Sequence, residues 1–354
     1  MATAGETLTG ERTPLGEQAC FDGGLVELAD RAWAWLQPNG GLGESNAGLI
    51  VGEGESLLID TLWDERLTRA MLSAMTPLTS EPGAPIRTLL NTHGDGDHWY
   101  GNGLLDRGVE IIASDRAGEQ MRAEPPAMLT RLAPVGGLAG AAGRIPLLPG
   151  AASMRGLSRF GADLRAYEFG GLEPRLPTRT FSGSLGLEVG GRRVEVIEVG
   201  PAHTVGDAIV WLADARVAYA GDIVFNGVTP IMWAGPVENW IAALERLELL
   251  EPDVVVGGHG PPCGAKELRI LREYWIWLRD TVADAGNEKP SALAERLVRS
   301  RAYAAEPWGG WARPERTVVN VARIAAGHGG AGEIGTMERL RLIAAMGALG
   351  ERLE

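Results

Sequence analysis

Short apolar blocks separated by turn residues dominate the first two thirds of the chain. Leu25-Val26-Glu27-Leu28, Arg31-Ala32-Trp33-Ala34-Trp35-Leu36 and Gly48-Leu49-Ile50-Val51 read as strands, with Pro38-Asn39-Gly40-Gly41 as a turn among them. Pro85-Ile86-Arg87-Thr88-Leu89-Leu90 reads as a buried strand, and Val194-Glu195-Val196-Ile197-Glu198-Val199 alternates as a half-buried strand does. Val217-Ala218-Tyr219-Ala220-Gly221-Asp222 predicts a strand ending in an aspartate, and Pro252-Asp253-Val254-Val255-Val256-Gly257-Gly258 one ending before His259. Helical spacing appears between these blocks. Leu67, Ala70, Met71 and Ala74 predict a helix over 64–75, and Trp240, Ile241, Leu244 and Leu247 another. Strands alternating with helices predict an α/β layered fold. Beyond residue 265 the pattern is helical, with Leu268, Leu271, Tyr274, Trp275 and Leu278 in one stripe and Leu340, Leu342, Ile343 and Met346 in another. Such stripes would pack on the core or on a second subunit.

The chemistry gathers where strands end. Asn91-Thr92-His93-Gly94-Asp95-Gly96-Asp97-His98 packs two histidines and two aspartates into six residues whose other members are glycines. Imidazole and carboxylate are the ligands of zinc, iron and manganese, and glycines permit the tight loop that brings such neighbours to one ion. An Asp-Gly turn without ligands is the bland alternative. The chain has five histidines in all, which makes their placement informative. His203 follows a Gly-Pro turn after its strand, His259 ends another, and Asp222 closes a third; His328, in a glycine-rich stretch, reads as a solvated loop residue.

The order His-x-Asp-x-Asp-His, then His203, Asp222 and His259, resembles the metallo-β-lactamase fold superfamily over roughly residues 20 to 265. Leu57-Leu58-Ile59-Asp60-Thr61 is similar to that family's strand ending in a structural aspartate, and His203-Thr204-x-Gly206 to its second histidine block. The resemblance implies a four-layer αββα sandwich with a dinuclear site at one edge. It would place one cation on His93, Asp95 and His203, a second on Asp97, His98 and His259, and Asp222 between them. The expected cofactor is two divalent cations, zinc first. One residue departs from the pattern: Asp95 stands where the family commonly has histidine. A carboxylate there adds negative charge, lowers Lewis acidity and admits manganese or iron.

Two cations sharing a water would supply hydroxide near neutral pH and polarise a carbonyl. The resemblance therefore implies a hydrolase of an ester, thioester or lactone, possible as a polyketide-type thioesterase or cyclase, with Asp97 and Asp222 as catalytic residues. A di-iron oxygenase, suggested by Asp95, and a binding protein with a relict site are the competing classes. Trp63, Trp99, Tyr100, Phe225, Met232 and Trp233 flank the ligand blocks and predict an apolar, aromatic-walled pocket rather than a basic cradle. Tyr100 is also a candidate oxyanion donor, or else a packing aromatic beside Trp99.

Composition narrows the partners. The net charge of −13 argues against nucleic acid, whose phosphates need a basic surface. A small-molecule substrate is expected, with no membrane partner and a cytoplasmic location, since no signal stretch or long apolar run stands in the sequence. Cys20 and Cys263 match no ligand spacing and read as reduced thiols. Residues 1–20 read as a loosely ordered segment, 21–265 as the main domain and 266–354 as a helical extension. Within the main domain, 125–180, rich in Pro, Gly and Arg, reads as an insertion that could close over the site.

Overall fold

The computed structural model describes residues 12–80, 83–128, 150–327 and 334–354. Two sheets face one another. The first runs β1 (Gly24–Ala29), β2 (Ala32–Leu36), β3 (Ala47–Val51), β4 (Ser56–Ile59), β5 (Ile86–Leu90), β6 (Glu110–Ser114) and β7 (Arg179–Phe181), in that spatial order. It is antiparallel from β1 to β4 and parallel from β4 to β7. The second runs β12 (Val254–His259), β11 (Val217–Phe225), β10 (Ala208–Leu212), β9 (Arg192–Glu198) and β8 (Ser184–Val189), with only β11 and β12 parallel.

Side chains that alternate along each strand sort into layers. Ile50, Leu57, Ile59, Leu90 and Ile112 of the first sheet meet Val196, Val210, Tyr219 and Val256 of the second in the central core. Their neighbours Leu49, Leu58, Leu89 and Ile111 point the other way, onto Met71 and Met75 of helix α1 (Glu65–Thr79). On the far side Ile209, Ala218, Ala220 and Val255 meet Trp240 and Leu244 of α4 (Val237–Leu249) and Leu271 and Trp275 of α5 (Ala265–Asp284). Helix, sheet, sheet, helix is the expected αββα order.

The helical extension continues with α6 (Pro290–Val298), α7 (Arg301–Ala305), α8 (Thr317–Ala326) and α9 (Thr336–Leu353). Between β6 and β7 lie α2 (Asp115–Ala123) and α3 (Ala151–Asp163). Helices α3 and α9 cross at bare backbone: a Cβ on Gly156 would stand 2.3 Å from the Ala344 carbonyl, and one on Gly347 2.6 Å from Gly156 Cα. Part of the anticipated insertion is thus a wall against the extension. Ile145 to Leu148 and His328 lie outside the described residues. No described helix is long and apolar enough to cross a membrane.

Several expectations change in detail. Asp64 does not belong to the first helix but caps it, accepting from the Leu67 amide at 2.8 Å, and the helix runs on to Thr79. Asp222 does not end its strand. β11 continues to Phe225, and its register slips around Gly221, whose φ of +49° only glycine adopts comfortably. The slip turns Asp222 out of the ladder and toward the site. Residues 12–20 are tied rather than loose at Thr13, whose amide donates to the Glu17 carbonyl at 2.8 Å, while the Glu17 carboxylate pairs with Arg313 at 2.5 Å.

Asn46 joins the sheets at the site edge. Its Nδ2 donates to the Gly257 and Gly260 carbonyls at 3.0 and 2.8 Å, and its amide donates to Gly258 at 2.7 Å. Asn46→Ala would strand two buried carbonyls beside His259. The expected cost is about 2–3 kcal/mol of stability, read by urea unfolding, and a change within about 0.5 kcal/mol would show the bridge to be dispensable.

Candidate metal centre

Seven side chains meet at the C-terminal ends of β5, β9 and β12 and at Asp222 within β11. His93 follows β5, Asp95 and Asp97 stand in the glycine loop, and His98 ends the 3₁₀ turn Gly96–His98. Glycine at 96 leaves room for the Tyr100 ring, whose carbons would lie 2.4 Å from a Cβ there. The Trp99 indole donates to the Gly94 carbonyl at 3.0 Å, and Asn91 Nδ2 to the His98 carbonyl at 2.9 Å. These bonds hold the loop's shape from inside.

Every imidazole is oriented by its Nδ1. His203 Nδ1 meets the Ile231 carbonyl at 2.6 Å and His259 Nδ1 the Glu44 carbonyl at 3.1 Å, so each carries its proton there. His98 Nδ1 donates to Asp60 Oδ2 at 3.0 Å. Thr92 Oγ1 gives its proton to the same Asp60 oxygen at 2.7 Å and accepts from His93 Nδ1 at 2.9 Å. Asp60 adopts a left-handed φ of +63° and also accepts the Thr92 amide at 2.7 Å, so one carboxylate sets two histidines. All four Nε2 atoms are left facing one another's side of the cluster.

The facing atoms have the spacing of ligands. Asp222 Oδ2 stands 3.2 Å from His203 Nε2, 3.5 Å from His259 Nε2 and 4.0 Å from His93 Nε2, while its Oδ1 is 3.1 Å from His98 Nε2. Asp95 Oδ2 is 3.2 Å from His203 Nε2, and Asp97 Oδ2 is 3.5 Å from His259 Nε2. Donor atoms about 2.1 Å from a shared ion stand roughly 3.4 Å apart in a tetrahedron. Three groups could hold a cation: His93, Asp95 and His203; Asp97, His98 and His259; and His93, His98 and Asp222. The third group takes one histidine from each of the others, which puts Asp222 between them.

Buried His93 Nε2, His98 Nε2 and Asp222 Oδ1 have no hydrogen-bond partner among the described residues. His98 Nε2 and Asp222 Oδ1 are close, but their alignment is not that of a hydrogen bond. Orphaned polar atoms of this kind are costly unless a cation takes them. Burial, helped by its histidine neighbours, pushes His93 down to about 3, so its Nε2 lone pair is free. Burial is the largest influence on His98 and His203 and opposes their charge, yet Asp222 together with Asp97 and Asp60 at His98, and with Asp95 and Asp207 at His203, outweighs it and raises both, His203 to about 9. Protons there balance the carboxylates in the place divalent cations would take.

A cavity of about 210 Å³ opens over the cluster. Trp63, Tyr100, Phe225 and Trp233 line it as anticipated. Trp99 does not: it is fully buried beneath the loop, fixed by its bond to Gly94. The Tyr100 hydroxyl is committed to the Glu124 carbonyl at 3.2 Å and its ring packs edge-on against Trp99, so the packing reading prevails over the oxyanion one. The far wall comes from α3 and α9, through Phe160, Leu340, Ile343 and Met346.

Basic groups stand beside the aromatic wall. Arg159, Arg313, Arg316 and Arg339 all line the cavity. Arg159 pairs with Glu354, Arg313 with Glu17, and Arg339 with Asp95 and Glu124. Arg316 differs. Its guanidinium donates to the Thr229 and Gly40 carbonyls at 3.0 and 3.4 Å and lies 5.6 Å from the Phe225 ring centre, with no carboxylate partner among the described residues. Burial pulls it down to about 10. Neither Arg316 nor Arg339 sits in a local motif, and only folding brings them to the loop.

An αββα sandwich with a buried His/Asp cluster at the edge of its sheets defines a class of metal-site protein. The chain belongs to the metallo-beta-lactamase superfamily, whose sequence profile matches residues 40–259. It is 24% identical over 271 residues to a linear primary-alkylsulfatase of Pseudomonas sp. (strain ATCC 19151), covering 68% of this chain and 47% of that one. It is 24% identical over 234 residues to the 2,4-dinitroanisole O-demethylase subunit alpha of Nocardioides sp. (strain JS1661), covering 64% and 56%. The chain thus spans about half the length of the curated relatives it matches. Among solved structures it superposes on a stereoselective inverting sec-alkylsulfatase from Pseudomonas sp. with a TM-score of 0.63 and 19% identity, over 87% of this chain and 50% of that one.

Asp60→Asn keeps the shape but weakens the acceptor for His98 and Thr92. Metal affinity should fall about 10- to 100-fold in a chelator competition, and unchanged affinity would contradict the orienting role. Asp222→Ala should lower the content of both ions and His203→Ala of one; elemental analysis showing intact metal in a destabilised protein would refute the bridging assignment.

Proposed function

We propose that the protein is a metal-dependent hydrolase that cleaves an ester bond in a small amphiphile, an apolar chain bearing an anionic group. Arg316 carries this reading: a buried cation without a carboxylate partner lines the same cavity as Asp97, Asp222 and His259. A desolvated guanidinium beside that cluster favours a substrate that brings its own negative charge. Phe160, Leu340, Ile343 and Met346 offer hydrocarbon a place to leave water. A sulfate monoester has the required form, and the similarity to an alkylsulfatase supports it.

In this reading His93, Asp95 and His203 hold one divalent cation, Asp97, His98 and His259 a second, and Asp222 reaches both. When bound, such ions supply an ionised water near neutral pH and a Lewis acid for the bond under attack. The chain's own residues do the rest. Arg316 fixes the anionic group against the Phe225 face, and the α3 and α9 wall orients the chain and excludes water. Asp97, 15% exposed and turned to the cavity, holds a carboxylate where a proton can pass to the departing oxygen.

A carboxylic ester, thioester or lactone is the second reading, favoured by the apolar wall, which suits an acyl chain equally well. Octyl sulfate and p-nitrophenyl octanoate separate the two. We expect sulfate release that chelators abolish, with kcat/KM at least about tenfold above the acyl ester, the equivalent of 1.4 kcal/mol. Arg316→Gln should lower kcat/KM on octyl sulfate by about 10- to 100-fold while leaving the neutral ester within about twofold. Turnover of the acyl ester alone would select the second reading.

A further inference from the structure

Asp95 offers its two oxygens to different partners. Oδ2 faces His203 Nε2 at 3.2 Å, on the side of the cluster, while Oδ1 accepts from Arg339 Nη2 at 2.9 Å and Gln120 Nε2 at 3.1 Å. Arg339 is itself held on three sides. Its Nη1 donates to both Glu124 oxygens at 2.7 Å, and its guanidinium lies 4.7 Å from the Trp233 ring centre. The helix that carries it, α9, is fixed on α3 by the contact at Gly156 and Gly347. Arg339 therefore reaches the cluster from the helical extension, well beyond the span that the family profile matches.

We propose that Arg339 is a positioning residue that makes Asp95 behave as a charge-compensated ligand through one oxygen, and that it thereby sets the site's preference for zinc over manganese. A carboxylate free on both oxygens can turn and chelate, which suits harder cations that take more oxygen. With Oδ1 occupied by a guanidinium and an amide, Asp95 presents one oxygen, and the added negative charge is offset nearby. Because Arg339 also serves Glu124, the offset is partial, and the restriction to one oxygen is what sets this carboxylate apart from a free one. Asp95 alone would shift the site toward manganese or iron; Asp95 with Arg339 does not. The inference rests on the reading that the cluster holds cations and is independent of the substrate.

Full-length protein, stripped with a chelator and reloaded from equimolar zinc and manganese, tests it by elemental analysis. Wild type should retain zinc in excess. Arg339→Gln should raise the manganese-to-zinc ratio about tenfold, with Arg339→Lys between the two because an ammonium cannot serve both carboxylates in fork geometry. Asp95→His takes away one of Arg339's two carboxylate partners and leaves the guanidinium facing a cation with Glu124 alone, so zinc affinity should fall about tenfold and recover when Arg339→Gln is added. A folded Arg339→Gln protein with the wild-type ratio overturns the inference. Should that variant fail to fold, Asp95→His decides: zinc bound as tightly as in wild type overturns it equally. Wild type that holds neither metal sinks the underlying reading of the cluster and the inference with it.

Discussion

Asp222 is the point on which the site turns. Its carboxylate is almost wholly buried, lies within 4.0 Å of all four histidine Nε2 atoms, and leaves Oδ1 without a hydrogen bond. An arrangement of this kind is unfavourable by itself, because three carboxylates and four oriented imidazoles gather where water is scarce. Positive charge has to enter, as protons or as cations. The architecture around it follows: β11 gives up its register at Gly221 to aim Asp222, Asp60 accepts a left-handed backbone to orient two histidines, and Asn46 fastens the end of β12 that bears His259.

The frame and the opening have different origins. The cluster comes from loops that follow β5 and β9 and from residues of β11 and β12 themselves, where a rigid sheet fixes the donors. The cavity wall comes from α3 and α9 instead, which meet at glycine and bring apolar side chains and arginines over the donors. Arg316 and Arg339 use the same chemical group differently: the first has no carboxylate partner among the described residues and donates to backbone carbonyls, while the second is held by Asp95 and Glu124.

How much of this was legible in the sequence depended on range. The loop 91–98 declares itself because ligands and glycines are adjacent, and His203 and His259 because strand alternation stops just before them. The α/β layering follows from the alternation of strands and helices, and the αββα order from the family resemblance. β7, with three residues, is too short to carry a period, whereas β8 alternates strictly and β10 lies close behind the His203 block. Trp99 looks like a pocket residue because it neighbours a ligand, but its indole is turned inward to brace the loop. The arginines were missed for a deeper reason: a charged residue on an amphipathic helix looks like a solvated face until tertiary packing shows what lies opposite.

The glycine-to-glycine crossing of α3 and α9 gives the molecule a division of labour. The His/Asp donors sit on the sheets and the shape of the opening on α3 and α9, which hold each other through backbone rather than through side-chain detail. Residues such as Phe160, Ile343 and Met346 can therefore vary in size without disturbing the donor loops. For laboratory evolution this marks α9 as the place to randomise, with Arg339, Gly347 and the helix's grip on α3 left untouched. A protein built in this way can change the lining of its cavity while keeping its donor cluster.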